Sequence, residues 1–358
     1  MTRAGILAIV VAAFATVTAI HGRSAAQVAA ALPRPRGYVA VRAQAALNID
    51  GRLDEAAWQA APWTERFVDI EGDAKPKPVL GTRAKMMWDD SYFYIGAELE
   101  EPNLWAEITA HDAVIFREHD FEVFIDPDGD SHAYRELEIN ARGTFWDLLL
   151  PMPYRAGGQA VDSWEFHGLR SAVHVDGTLN HPGDVDRGWS VELAMPWSAF
   201  SPDERHPSAP RVGDQWRVNF SRVQWTTDVV NGAYRPRPNV PEHNWVWSPQ
   251  HVVDMHRPER WGYVQFEAAA AAFVPDAAWP ARQWLQGVYE AQREFRISKG
   301  RYAATLTELG VPAPADTTLS APQIWSTPSL FEAAVTLNGP GQSTAVWRIR
   351  QDARVWCQ

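Results

Sequence analysis

The chain has 358 residues, and its 44 Asp and Glu against 33 Lys and Arg give a formal net charge of -11. That charge disfavours nucleic acid and anionic lipid as partners. The single cysteine, Cys357, excludes an internal disulfide, so packing or bound metal must supply the stability. The length favours one large domain plus a smaller one.

The first 26 residues predict a secretory signal peptide. Arg3 gives a short basic start, an apolar run follows from 6 to 20, and small residues stand at 24 to 26. The apolar run is too short and too rich in alanine for a stable membrane span, and no later segment is apolar for the ~20 residues that a spanning helix needs. We therefore expect a secreted or periplasmic protein. A loosely packed linker rich in Ala, Pro and Arg is expected from 27 to 46.

Short strand-like runs separated by turn residues fill the chain from 47 to 267. They include TRAKMMW, YFYIGAELE, FEVFID, YRELEINA, GWSVELAMP, QWRVNFSRVQW and WGYVQFE. Evenly spaced short strands with turn signals between them are typical of an all-β antiparallel sandwich or barrel, and they argue against a parallel sheet with crossover helices.

The pattern changes after this region. A second linker is expected from 268 to 276, and a helix is predicted near 277 to 299. One stripe of that helix contains Trp284, Val288, Ala291 and Phe295. Three weak strands follow, around Ile324, from 331 to 337 and from 345 to 355. The segment from 277 to 358 is therefore expected to form a small α+β accessory domain.

Five blocks, LNIDGRLDEAAWQAA, MMWDDSYFYIGAELEEP, DFEVFIDPDGD, ELEINARGTFWD and GWSVELAMPW, stand in this order. Together they resemble the family 9 carbohydrate-binding modules, and the whole chain resembles a bacterial subgroup with a C-terminal extension. The resemblance covers 47 to about 267. It implies a jelly-roll-like sandwich, bound calcium, and a sugar site on the concave sheet face, where two tryptophans enclose a terminal sugar.

The family's polar site residues map onto named positions of this chain. Glu101 stands where the family has an Asp before Pro, and Glu122 falls on the strand glutamate. Glu138 takes roughly the place of an arginine, and Asn140 matches a family asparagine. The two tryptophan positions fall near Phe116 and Met255, and a different wall could come from Arg222, Trp225, Trp245, Trp247 and His256.

Strand alternation predicts on which face of the sheet the two glutamates lie. Residues two apart share a face, so Glu122 and Glu138 are expected opposite the apolar face of their strands. If DPDGDSHAY closes a hairpin, the two become cross-strand neighbours within about 5 Å. Alternation puts Arg222 on the inner face, so a bulge or a buried ion pair would be needed to bring it to these carboxylates.

Three interpretations of this acidic face remain open. It is a solvated face balanced by basic residues, or the polar floor of a saccharide site with Asn140, or the acid and nucleophile pair of a retaining glycosidase. We favour an exported protein that binds carbohydrate non-covalently with the help of calcium. The alternatives are a glycoside-active enzyme that uses Glu122 and Glu138, and a structural or interaction sandwich of the cell envelope.

Acidic loops are the candidate calcium sites, since calcium takes six to eight oxygen ligands. The candidates are Asp126, Asp128 and Asp130 in one turn, Asn180, Asp184 and Asp186 in a second loop, and Asp50 with Asp54 in a third. A Pro-Asp-Gly hairpin needs the same residue types for backbone reasons alone. His243, His251 and His256 lack the spacing of a transition-metal motif.

Overall fold

The computed structural model describes residues 32–45, 47–201, 209–339 and 344–358. The predicted signal peptide and the first part of the predicted linker lie outside these residues. The strands of the large domain are β1 (Gly37–Arg42), β2 (Val68–Asp69), β3 (Thr82–Trp88), β4 (Tyr92–Glu100), β5 (Asp120–Asp126), β6 (Tyr134–Asn140), β7 (Phe145–Leu150), β8 (Arg170–Asp176), β9 (Gly188–Pro196), β10 (Gln215–Gln224), β11 (Thr227–Val230), β12 (Ala233–Pro236), β13 (His243–Val246) and β14 (Gly262–Glu267). A short helix, α1 (Ala56–Ala60), precedes β2.

The sheet runs in the order β7, β6, β5, β10, β14, β1, β3, β4, β9 and β8, with β13 beside β10 and β2 beside β13. Neighbours along it are antiparallel except for β1, which runs parallel to both β14 and β3. Apolar side chains of β5, β6 and β10 meet those of β4 and β9 in one core. The predicted β-sandwich is therefore confirmed.

The N-terminal linker prediction is wrong from Gly37 onward. The segment GYVAVR forms β1, which pairs with β14 over five residues and bridges it to β3. Tyr38 and Ala40 are buried in the main core. Alternation of apolar residues over six positions outweighed the Ala, Pro and Arg content of the surrounding stretch, because burial on one face is enough to hold a strand.

The opening block of the large domain is held by one buried carboxylate. Glu192 on β9 accepts hydrogen bonds from Trp58 Nε1 at 2.9 Å and from the backbone N–H groups of Asp50 at 2.9 Å and Gly51 at 3.1 Å. Gly51 has a φ of 86° and stands against the backbone of Val173, so a side chain there would clash. The IDG turn and the first tryptophan are thus fixed to the sheet by Glu192.

Replacement of Glu192 by Ala should lower the free energy of unfolding by roughly 3 kcal/mol, because it leaves three donors without an acceptor in a buried place. Glu98→Ala is the matched control, since Glu98 pairs with Arg83 at the surface and its loss should cost under about 1 kcal/mol. Urea unfolding measures both. Equal losses in the two variants would contradict this role of Glu192.

The C-terminal domain has a helix packed on a separate antiparallel sheet. Its elements are α2 (Trp279–Lys299), α3 (Leu306–Leu309), β15 (Leu319–Ser326), β16 (Phe331–Leu337), β17 (Ala345–Arg350) and β18 (Val355–Cys357). The sheet order is β15, β16, β17, β18. The helix agrees with its predicted bounds, while the third predicted strand is divided into β17 and β18. Leu285, Val288 and Tyr289 of α2 share a core with Val335 and Ile349 of the sheet.

The C-terminal domain contacts the turn between β5 and β6. The backbone N–H of Val355 donates to the carbonyl of Asp130 at 3.0 Å, and Arg354 Nε donates to Asp130 Oδ2 at 2.8 Å. Arg282 Nη1 also reaches the carbonyl of Gly129 at 2.7 Å. These contacts fix the hairpin that carries the two predicted glutamates.

In the described part of the chain, every helix is too short or too polar to cross a membrane.

Candidate functional site

Carboxylates line the face of β5 and β6 that points away from the main core. The register pairs Glu122 with Glu138 across the two strands, as predicted, and pairs Phe124 with Glu136. Asp120, which strand alternation places with Glu122, completes the group. Carboxylate oxygens of Asp120, Glu122 and Glu138 lie within 4.8 Å of one another. We refer to Asp120, Glu122, Glu136 and Glu138 as the carboxylate cluster.

The carboxylate cluster is buried and has no basic counter-charge close by. Its four side chains are at most 5% exposed, which contradicts the interpretation as a solvated face. Among the described residues, the nearest basic group is the imidazole of His256, whose Nε2 lies 4.0 Å from Glu136 Oε2. Taking charged carboxylates out of water is costly unless a partner compensates. The cluster must therefore hold protons or bind a ligand that offsets its charge.

Burial also changes the acidity of these groups. It raises the pKa of Glu122 to about 7. The pKa values of Asp120, Glu136 and Glu138 are raised too, first by burial and then by the charges of neighbouring carboxylates. Protons are thus shared within the cluster near neutral pH.

Several oxygens of the carboxylate cluster have no hydrogen-bond partner. Asp120 Oδ1 accepts from the backbone N–H of Val223, and Glu138 Oε2 accepts from that of Phe116, each at 3.0 Å. Within the described residues, Asp120 Oδ2, Glu122 Oε2 and Glu136 Oε2 are buried and unpaired. Ionised carboxylate oxygens only accept hydrogen bonds. A complementary ligand would therefore be rich in hydrogen-bond donors, or would be a cation.

Aromatic side chains surround the carboxylate cluster. Trp146 lies opposite Glu138 in the β6–β7 register. Phe116 is 41% exposed, and its carbonyl accepts a hydrogen bond from Trp225 Nε1 at 3.0 Å. Tyr154 is 43% exposed, and its ring lies against the imidazole of His256, which is itself 4.0 Å from Glu136. We call Phe116, Trp146, Tyr154 and Trp225 the aromatic rim.

The sequence predictions identified Phe116 and Trp225 and missed the other two rim residues. Trp146 could have been found by alternation, because it stands two residues before Leu148 in the strand that follows the glutamate hairpin. Tyr154 lies in a loop, so strand spacing gave no signal for it.

His256 and Met255 lie on the same side of the sheet as the carboxylate cluster. His256 Nδ1 is 3.0 Å from the hydroxyl of Tyr134. The ring centroids of Tyr154 and His256 are 4.3 Å apart. Burial lowers the pKa of His256 to about 4, so this side chain is neutral at pH 7. Met255 packs with Phe124 in an apolar cluster beside the acids.

Arg222, Trp245 and Trp247 lie on the other face of the sheet, which contradicts the predicted site. β10 pairs with β5 and β13 without a register shift, so Arg222 stays on the inner face with Phe220. It forms a buried ion pair with Glu101 at 2.8 Å. Its guanidinium lies 5.3 Å from the Trp245 ring centroid, and Trp245 and Trp247 belong to the main core.

Glu101 is likewise buried away from the predicted sugar site. One of its oxygens binds Arg222, and the other accepts from the backbone N–H of Asn103 at 2.9 Å. The predicted wall of Arg222, Trp245 and Trp247 is therefore wrong, and so is the placement of Glu101 beside the strand glutamates. The physical reason is that side chains of a regular strand point alternately to its two faces. A buried arginine therefore forms its ion pair with an acid on its own face of the sheet.

Asn140 is on the predicted face but has no free hydrogen-bonding capacity. Its amide donates to the carbonyl of Ile108 at 3.0 Å and to Glu118 Oε1 at 2.6 Å. Its oxygen accepts from the backbone N–H groups of Arg142 and Thr144, each at 3.0 Å. Because all its donors and acceptors are used, Asn140 holds the turn after β6 and is not counted in the site.

The predicted calcium loops use many of their carboxylate oxygens on the backbone. Asp126 accepts from the N–H groups of Gly129 at 3.0 Å and Ser131 at 2.9 Å. Oxygens of Asp126, Asp128 and Asp130 lie within 4.8 Å of one another, although Asp130 also pairs with Arg354. Calcium at this turn stays a prediction.

The second predicted calcium loop is closed by its own side chains. Asp186 accepts from the backbone N–H groups of Thr178 at 2.7 Å and Leu104 at 2.9 Å, and Asn180 holds Ala106 through both polar atoms. Asp184 Oδ1 lies 3.3 Å from His181 Nδ1. The acidic and amide side chains of this loop thus serve as hydrogen-bond partners for backbone groups, which is one reason for these residue types. Calcium in this loop also stays a prediction.

Fold and site together define a β-sandwich with a polar and aromatic site on one sheet face. Residues 49–144 match the family model described as carbohydrate family 9 binding domain-like. This segment is therefore similar to the family 9 carbohydrate-binding domains, as the sequence resemblance predicted. The matched segment includes β5 and β6 and with them the carboxylate cluster.

Three solved structures are similar to part of the chain. A family 9 carbohydrate-binding module from Caldicellulosiruptor kristjanssonii in complex with cellotriose is 13% identical, with a TM-score of 0.44 over 67% of this chain and 98% of that one. The glucose complex of such a module from that organism gives the same identity and TM-score, over 67% and 100%. A putative carbohydrate-binding protein from Bacteroides uniformis is 16% identical, with a TM-score of 0.48 over 65% and 100%. No curated protein matches the chain.

The raised pKa values make stability depend on pH in a defined direction. Glu122 has a pKa of about 7 in the folded protein against an ordinary value of 4.5. Between these values the folded state keeps a proton that the unfolded state has lost, so stability falls as pH rises from about 4.5 to about 7.

Thermal unfolding at pH 5 and at pH 7.5 tests this. The fall in Tm between the two should be smaller in Glu122→Gln than in the wild type, because that variant lacks the titrating group. Glu98→Gln, at the exposed Arg83 pair, should behave like the wild type. An identical pH dependence in all three proteins would contradict the buried acidic character of Glu122.

Proposed function

We propose that this protein binds a carbohydrate non-covalently at the carboxylate cluster and its aromatic rim. The observation that supports this most directly is the set of unpaired acceptor oxygens on Asp120, Glu122 and Glu136 next to partly exposed aromatic rings. Sugar hydroxyls are hydrogen-bond donors, and the C–H faces of a sugar ring pack on aromatic rings. Both halves of the site thus suit one class of ligand.

The aromatic rim favours a saccharide over a bare cation in this place. A cation would offset the carboxylate charge without any use for Phe116, Trp146, Tyr154 or Trp225. A saccharide uses the rings as well as the acceptors, and ligand sites of this kind combine an apolar wall with a few polar groups. Protons on the cluster also let a carboxyl donate to a sugar oxygen, since the pKa of Glu122 is about 7.

We also propose that the protein is exported and takes part in the recognition and breakdown of polysaccharides or oligosaccharides. Its N-terminal 26 residues have the pattern of a signal peptide, and its acidic surface suits an uncharged ligand more than a polyanion. The part in breakdown is proposed from the ligand class and from the resemblance to family 9 carbohydrate-binding modules.

Export is tested by expressing the full chain in a Gram-negative host and fractionating the cells. We expect the protein in the periplasm or medium with a new N-terminus close to Gln27, read by mass spectrometry. An uncleaved chain that stays in the cytoplasm would contradict the proposal. A variant with Arg3 and Ile6 to Ile20 deleted serves as the control and should stay inside.

Binding is tested on a glycan array followed by calorimetry with the best soluble glycan. Trp146→Ala should weaken binding roughly five- to ten-fold, since aromatic stacking contributes about 1 kcal/mol beyond area burial. Glu122→Ala should weaken it further, because it removes an acceptor. The matched control is Trp325→Ala in the C-terminal sheet, which is 47% exposed and far from the carboxylate cluster in the fold. An array with no bound glycan, or an equal loss in Trp325→Ala, would overturn the proposed function.

Glu138→Gln separates binding from catalysis. The amide keeps most of the hydrogen-bonding capacity of Glu138 but cannot act as an acid or a nucleophile. If the wild type releases no new reducing ends and the variant binds within a few-fold of it, binding is the function. If the wild type hydrolyses its glycan and the variant loses several orders of magnitude in rate, a retaining glycosidase using Glu122 and Glu138 replaces this proposal.

A further inference from the structure

A second group of ligating side chains lies at the outer edge of the large sheet. His111 and Asp112 come from the connection between β4 and β5, Asp147 from β7, and Glu165 from the connection between β7 and β8. From His111 Nε2, the distances are 3.1 Å to Glu165 Oε2, 3.4 Å to Asp112 Oδ1 and 4.0 Å to Asp147 Oδ1. Three separate segments of the chain thus bring carboxylate oxygens around one imidazole nitrogen.

The orientation of the His111 imidazole is fixed by a hydrogen bond at its other ring nitrogen, Nδ1. His111 Nδ1 lies 3.0 Å from the carbonyl oxygen of Phe145. Because a carbonyl only accepts hydrogen bonds, Nδ1 carries the hydrogen, and in the neutral ring Nε2 is the nitrogen with a free lone pair. The Phe145 ring also packs against the imidazole, with the two ring centroids 4.7 Å apart. A backbone carbonyl on the far nitrogen is how proteins commonly orient a metal-binding histidine.

Two of the carboxylate oxygens that face Nε2 lack a hydrogen-bond donor. Asp147 is completely buried, and its Oδ2 accepts from the backbone N–H of Phe166, while its Oδ1 has no partner among the described residues. Asp112 Oδ1 is also buried and unpaired there. These are the same two atoms that lie 3.4 and 4.0 Å from His111 Nε2. A buried acceptor without a donor is costly, which indicates a missing positive partner.

A protonated histidine cannot supply that partner to all three acids. Its single Nε2–H can donate well to only one oxygen, and Glu165 at 3.1 Å is placed to receive it. That leaves Asp112 and Asp147 without a donor. No Lys or Arg in the described part of the chain pairs with any of the three carboxylates, whose ion pairs all run to His111.

We infer that His111, Asp112, Asp147 and Glu165 form a binding site for a divalent transition-metal ion. The ligand atoms of His111, Asp112 and Asp147 lie within 4.8 Å of one another, a spacing that an ion with bonds of about 2.0–2.2 Å bridges after small shifts. One imidazole with three carboxylates suits Zn²⁺, Mn²⁺ or Fe²⁺, while Ca²⁺ and Mg²⁺ prefer oxygen ligands alone.

An ion can reach this site from solvent. The side chains of His111 and Glu165 are 44% and 39% exposed, while Asp147 forms the buried floor. The inference is independent of carbohydrate binding, because none of the four residues belongs to the carboxylate cluster or the aromatic rim. An ion here would tie the edge strand β7 to the loops on both sides of it.

The experiment uses the mature protein, freed of metal by a chelator and then dialysed. Calorimetry with Zn²⁺, and electron paramagnetic resonance with Mn²⁺, should each show one site per chain. His111→Gln and Glu165→Gln should weaken binding at least ten-fold, since each removes a ligand at an exposed position. Circular dichroism of both variants should match that of the wild type. Zn²⁺ should also raise the Tm of the wild type and leave that of His111→Gln unchanged.

Two control variants separate this site from general surface binding. His167→Gln removes an exposed histidine two residues from Glu165, and Asp128→Asn alters the acidic turn after β5. Both should bind Zn²⁺ as the wild type does. The inference is overturned if neither Zn²⁺ nor Mn²⁺ binds, if His111→Gln and Glu165→Gln both bind like the wild type, or if Asp128→Asn is the variant that loses binding. Glycan affinity enters none of these outcomes, so the proposed function stands or falls separately.

Discussion

The unbroken register of β5, β6 and β10 is the constraint on which the rest of the molecule depends. It sends Phe121, Val123 and Ile125 into the core shared with β4 and β9. The same alternation places the acids of β5 and β6 on the opposite face. A shift of one residue in β5 would exchange the two sets, burying acids against phenylalanines, so core packing and site geometry are fixed by one register.

Buried charges in this protein are compensated in most of the places where their role is structural. Glu192 receives three donors, Glu101 pairs with Arg222, and Glu118 accepts from two backbone N–H groups and Asn140. The carboxylate cluster and the group around His111 differ from these, because acceptor oxygens in both are left unpaired. Stability alone does not explain such an arrangement, since each unpaired buried acceptor costs free energy. Single unpaired acceptors also occur elsewhere, for example on Glu55 and Glu259, so the gathering of several carboxylates around one point is what separates the candidate binding groups from the structural ones.

The two candidate groups differ in access and in composition. The carboxylate cluster has only acids, which are buried, and is bordered by partly exposed aromatic rings, which suits a donor-rich ligand with an apolar face. The group at the sheet edge is half exposed and contains an imidazole held by the Phe145 carbonyl, which suits a metal ion. The hairpin between β5 and β6 is meanwhile held by Arg282 and Arg354 from the C-terminal domain. That domain thus supports the strand pair on which the carboxylate cluster is built.

The sequence by itself determined the features that depend on short-range spacing. Alternation predicted the strands, the pairing of Glu122 with Glu138 and the inner face for Arg222, and helical periodicity predicted α2 almost to the residue. The ordered blocks predicted the fold family. Tertiary structure alone decided which distant residues meet. It decided that β1 pairs within the sheet and that Arg222 forms an ion pair with Glu101. It also decided that Trp245 and Trp247 pack in the core, and that His111, Asp147 and Glu165 lie together at one sheet edge. The physical reason is that alternation fixes the face of a side chain within its own strand, whereas its partners depend on how the sheet curls and where loops cross it.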